Sequence, residues 1–91
     1  MTGDTMKLRI NSKYINIPVL ADCASEDAVD ILVRDESGKI VRYFNLVPAI
    51  DILPDFHAFY PVGEFIGTDL EFCCERDNIV KPLVKMIIQS D

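Results

Sequence analysis

The only histidine of the chain, His57, lies in "NLVPAIDILPDFHAFYP" (residues 45–61), with Asp51 and Asp55 nearby. A histidine beside carboxylates can work as a general base if a nucleophile or a metal-bound water sits within hydrogen-bond reach. Cys73 and Cys74 are the candidate nucleophiles, but no motif surrounds them. Neighbours on a strand point to opposite faces, so His57 faces away from Phe56 and Ala58 and reads as a surface or partly buried histidine. A metal site needs three or four converging ligands; one histidine among scattered acids predicts none. Paired carboxylates serve glycoside hydrolysis. Asp51 with Asp55, and Glu71 with Glu75, are pairs by count alone, and Glu71 and Glu75 share the parity of a solvated strand face. "GEFIG" lacks the glycine spacing of a phosphate loop. Three tyrosines and five phenylalanines can stack on sugar rings, but in a strand-rich domain most belong to the core. No catalytic residue, metal or cofactor is therefore expected.

The elements that would hold these residues are mostly strands. "MKLRINSKYINIPV" alternates apolar and polar residues, the period-two signature of half-buried strands, with "NSK" as a break. Pro18 has no N–H to give to a ladder and points to an edge or a strand end. "ADCASEDA" is a polar loop. In "VDILVR", Val29, Ile31 and Val33 share a face. "DESGK" is a hairpin turn with Gly38 left-handed, and "IVRYFNLV" is the returning strand. Large apolar residues on both faces of that strand predict a central position. "FHAFY" and "LEFCCE" are further strands, the second with Leu70, Phe72 and Cys74 on one side. In "DNIVKPLVKMIIQSD" the apolar residues at 79, 80, 83, 84, 87 and 88 have helical spacing, although "LVKMIIQ" also fits a strand. Asp77 or Asn78 is the expected N-cap, and Pro82 sits harmlessly in the first turn. About five to seven short strands predict a mainly β fold, a small antiparallel, jelly-roll-like β-sandwich ending in a short helix or extended connector. The expected division is a disordered tail over residues 1–5, the sandwich over 6–76, and a C-terminal segment or linker over 77–91.

Bulk properties agree. A chain of 91 residues makes one domain and buries about 60–65% of its unfolded surface. An apolar fraction of 49% suffices for a core and leaves room for an apolar patch. The net charge of -6 and the scatter of nine Lys and Arg residues exclude a nucleic-acid partner. Cys23, Cys73 and Cys74 form no CxxC and read as reduced small hydrophobes. With no apolar h-region at the N-terminus and no run long enough for a membrane helix, a cytoplasmic location and no membrane partner are expected.

One family shares this order of phrases. "YINIPV" (14–19), the turn and strand "GKIVR" (38–42), and "PDFHAFYPVGEFIG" (54–67) resemble the small N-terminal domain that precedes the catalytic module in bacterial glycoside hydrolases of family 32, the levanase-, invertase- and fructanase-like enzymes. Pro54, Asp55, Ala58, Phe59, Val62, Phe65 and Gly67 match the family's "PDWWAFLDVSEFKGK"-like segment in register, while Phe56 and His57 replace its paired tryptophans. The resemblance covers about residues 8–76 and the closing "QSD". It implies a non-catalytic domain of an enzyme acting on fructans or sucrose, with that enzyme's catalytic domain and a fructan or other carbohydrate as partners and Phe56, His57 and Phe59 as the carbohydrate-binding residues. The "NDPNG", "RDP" and "EC" motifs of the catalytic propeller are absent from these residues, so no catalytic residue carries over. The segment 45–61 then reads as the crossover from the hairpin to the second half of the sandwich. The alternative is a free-standing interaction module, a homo-oligomer paired through a strand edge or the C-terminal segment.

Overall fold

The computed structural model describes residues 4–21, 28–76 and 78–91; Cys23 and Asp77 lie outside them. Seven strands and one helix follow in the order β1 (Asp4–Arg9), β2 (Tyr14–Val19), β3 (Val29–Arg34), β4 (Ile40–Leu46), β5 (Phe56–Pro61), β6 (Asp69–Cys74), α1 (Val80–Met86) and β7 (Ile88–Ser90). They form two antiparallel sheets, β1-β6-β3-β4 and β5-β2-β7. This is the small β-sandwich that the alternation predicts. Only the β3–β4 hairpin stays within one sheet; every other join crosses between the sheets. The segment 45–61 is one such crossover, from β4 to β5.

The period-two pattern builds the core directly. Ile15, Ile17 and Val19 of β2 face Val29, Ile31 and Val33 of β3 and Leu70, Phe72 and Cys74 of β6 in one buried cluster. Phe44 of β4 meets Tyr60 of β5 across the sheets with ring centroids 4.1 Å apart. Burial there pushes the Tyr60 phenol above its usual range. The helix adds Val80, Leu83 and Val84 to the same cluster.

The turn chemistry explains the hairpin. The Asp35 Oδ1 accepts the backbone N–H of Ser37 at 2.9 Å and of Lys39 at 3.0 Å, and the Ser37 hydroxyl at 2.6 Å. Gly38 takes φ +88°, which side chains resist. Together these bonds close a tight turn between β3 and β4.

Four expectations need correction. The strand after the hairpin, β4, is an edge and not a central strand. Of its large apolar residues only Phe44 is fully buried, and Ile40 and Tyr43 are exposed. The edge is blunted: the register shifts so that Val41 has no partner opposite it, and the Arg42 guanidinium donates to the Val41 carbonyl at 2.7 Å. Second, Pro18 lies in the central strand of its sheet, β2, and not at an edge. β7 pairs only with Tyr14–Asn16, and Pro18 instead accepts the Ala49 N–H at 3.0 Å, so its missing donor falls where the β7 ladder has ended. Third, residues 78–91 are not a connector outside the sandwich. They hold a helix and then a strand, and the Gln89 side chain bonds Asn11 N–H and Arg9 C=O, both at 2.8 Å. β1 likewise begins at Asp4, inside the expected tail. Fourth, Asn78 does not cap α1; it is left-handed at φ 64°, and Ile79 occupies the cap position without a side-chain bond.

Candidate functional site

The outer face of the three-stranded sheet gathers exposed aromatic and apolar residues. The register places Phe59, Asn16 and Ile88 in one row across β5, β2 and β7, and Pro61, Tyr14 and Ser90 in the next. His57 and Pro18 stand in the row beyond. Phe59 is 66% exposed and Ile88 57% exposed. The Tyr14 and Phe59 rings meet edge to face with centroids 6.0 Å apart. Asn16, at the centre, donates from Nδ2 to the Ile88 carbonyl and to the Ser90 hydroxyl, both at 2.9 Å. These two bonds fix its amide and tie β7 to β2.

Of the three residues that the sequence proposes for carbohydrate, the structure brings together two. His57 and Phe59 share the outer face because they are two apart on β5. Phe56 has the opposite parity, that of Ala58 and Tyr60, and stays half exposed at the start of the strand. Sequence reasoning missed Tyr14, Asn16, Ile88 and Ser90. Alternation in "YIN" puts Tyr14 and Asn16 on one face, but only the ladder between segments about 45 and 72 residues apart brings them to Phe59 and Ile88.

A second apolar surface is the crossover itself. Leu53 is 89% exposed, Ile52 53% and Phe56 52%. The backbone beneath them is held firmly. Leu20 N–H donates to Val47 C=O at 2.9 Å, Asp55 N–H to Val19 C=O at 3.0 Å, and Ala21 N–H to the Asp55 carboxylate at 2.8 Å. Asp55 is thus a structural cap. Asp51 is exposed at φ 61°.

Chemistry assembles nowhere among the described residues. No three His, Cys, Asp or Glu side chains there stand close enough to hold a metal ion. Cys74 is buried in the core and Cys73 points outward, so the adjacent thiols face opposite ways and both are free. The Cys73 S–H lies 3.8 Å from the Glu71 carboxylate. Burial pushes that thiol up, the Glu71 charge adds to the effect, and Arg34 opposes it; a thiol so held is a poor nucleophile. Glu71 therefore sits beside a thiol, and Glu75 is exposed. The outer face of the four-stranded sheet is charged where the other is neutral. Arg9 pairs with Asp69 at 3.2 Å, and the Asp30 carboxylate accepts the Tyr43 hydroxyl at 2.6 Å and the Asn45 amide at 2.7 Å. Those two bonds hold the Asp30 carboxyl below its ordinary range.

Among the described residues no helix is long and apolar enough to cross a membrane. No protein-family model matches the chain, and comparisons with curated proteins and with solved structures find no match.

Proposed function

We propose that this chain is a non-catalytic β-sandwich domain of a glycoside hydrolase of the family 32 type, acting on fructans or sucrose, and that it packs on the catalytic module of that enzyme. The observation that carries the reading is the stapled apolar prominence of Ile52, Leu53 and Phe56. A leucine 89% exposed on a backbone fixed by four hydrogen bonds is suited to an interface, because docking costs little ordering entropy. The ordered resemblance of "YINIPV", "GKIVR" and "PDFHAFYPVGEFIG" supplies the partner. The rival, a homodimer joined edge to edge, is disfavoured at β4 by its bulge and by Arg42 folded over the Val41 carbonyl.

The coding sequence beyond Asp91 gives the first test. A propeller with an "NDPNG"-like motif is expected, and an open reading frame without one sinks the assignment. In the two-module protein, Leu53→Asp should lower the melting temperature of the catalytic module by several degrees while leaving this domain unchanged. An unchanged catalytic module would remove Leu53 from the interface.

A further inference from the structure

We infer that the outer face of the β5-β2-β7 sheet is a binding site for a neutral saccharide, centred on Phe59 and Asn16. The inference does not rest on the enzyme assignment, since it uses the sheet face and not the crossover prominence. Three observations carry it.

The first is the ring. Phe59 is 66% exposed and is braced edge to face by Tyr14 at 6.0 Å. A braced ring on a strand loses little freedom when a ligand stacks on it.

The second is charge. The chain has a net charge of -6, yet Tyr14, Asn16, His57, Phe59, Ile88 and Ser90 carry no formal charge at neutral pH with His57 neutral. A face without charge on an acidic protein offers nothing to an ionic ligand, and it offers hydroxyl, amide and imidazole groups to a neutral one.

The third decides between a saccharide and an apolar protein surface. Both donors of the Asn16 amide are spent, on Ile88 C=O and Ser90 Oγ at 2.9 Å each. Its Oδ1 remains an acceptor in the middle of the face, between Phe59 and Ile88 in the cross-sheet row. An apolar partner laid over this row would bury that oxygen without a donor, at a cost of about 1–3 kcal/mol. A polyhydroxylated ring satisfies it with one hydroxyl while its C–H face covers Phe59. A fixed acceptor beside an exposed ring therefore matches the two-sided chemistry of a sugar, apolar on its face and hydroxylated at its rim.

The test is a heteronuclear NMR titration of the full chain with inulin- and levan-type fructo-oligosaccharides, cellohexaose, xylohexaose and mannohexaose. Saturable shifts at residues 14, 16, 59 and 88 are expected with at least one of them, with Kd of about 1 mM. Phe59→Ala should weaken that binding about tenfold; because the ring is largely exposed, the variant should keep the wild-type fold, read from its unchanged core shifts. No shifts with any of the five sugars at about 20 mM, well above that Kd, would overturn the inference. So would shifts mapping elsewhere, or a Phe59→Ala variant that binds equally well. Broadening of the same residues with protein concentration and without sugar would identify a second copy as the occupant and would also overturn it.

Discussion

Replacing Arg42 with methionine removes the main polar tie between the two sheets on the side away from the helix. Arg42 leaves β4 in the four-stranded sheet and reaches Pro61 at the end of β5 in the other. Its guanidinium donates to the Pro61 carbonyl at 2.9 Å, to the Glu64 carboxylate at 2.9 Å and to the Val41 carbonyl at 2.7 Å, and lies 5.5 Å above the Phe65 ring. Methionine keeps the stem and drops all four contacts. A hydrogen bond from a charged donor contributes about 1.5 kcal/mol at the low end of its range, suited to partly wet sites. The Glu64 side chain is 65% exposed, so that ion pair adds no more than about 0.5 kcal/mol. The ring contact adds about 0.5–1 kcal/mol. Water replaces part of what the carbonyls lose, so the net cost is about 2 kcal/mol. For a domain of this size that lowers Tm by about 8–16 °C, at about 4–8 °C per kcal/mol. Urea and thermal unfolding followed by circular dichroism measure it. Because most of the cost lies in carbonyl bonds and not in the ion pair, about 1 M salt should shrink it only slightly. A loss below about 0.5 kcal/mol, or one abolished by salt, would refute this account of how the sandwich is closed.

Two further perturbations test other layers. Phe72→Ala opens a cavity in the centre of the core, where Phe72 is 1% exposed; a cost of about 3–5 kcal/mol should leave the domain largely unfolded at 37 °C, read by loss of dispersed amide shifts. The Ser37 hydroxyl is the main cause of the lowered Asp35 pKa. A carboxyl depressed on folding contributes stability that is present above its unfolded pKa and lost as the pH falls through the folded one. The Asp35 carbonyl-carbon titration should therefore have its midpoint below the ordinary aspartate range, and Ser37→Ala should move it upward; an unmoved midpoint would refute the assignment of cause.

The local elements were legible in the sequence, and the long-range ones were not. "VDILVRDESGKIVRYFNLV" declares its hairpin because alternation, an acidic turn and a glycine agree within nineteen residues. The position of β4 in the sheet is a different kind of fact. Phe44 and Arg42 share a parity, yet one fills the core and the other leaves it sideways, and alternation cannot separate the two. The tail "VKPLVKMIIQ" was ambiguous because it contains both a helix and a strand, with the apolar spacing running through the junction at Ile87. The candidate site divides in the same way. Phe59 was visible as an aromatic on an alternating strand, whereas Asn16 gained meaning only when Ile88 and Ser90 arrived beside it from more than seventy residues away.

That separation has a consequence for synthesis. The last strand completes the central one: Gln89 closes on Asn11 across 78 residues, and β7 covers the open flank of Tyr14–Asn16. At about 5–20 residues per second, β2 waits roughly 4–16 s on the ribosome before its second neighbour exists. Through that interval the row that later holds Phe59, Asn16 and Ile88 lacks one side, and β2 presents unpaired backbone groups to any strand that passes. The carboxyl-terminal residues thus act as the latch of the fold, and nascent chains depend on helpers or on speed until it shuts.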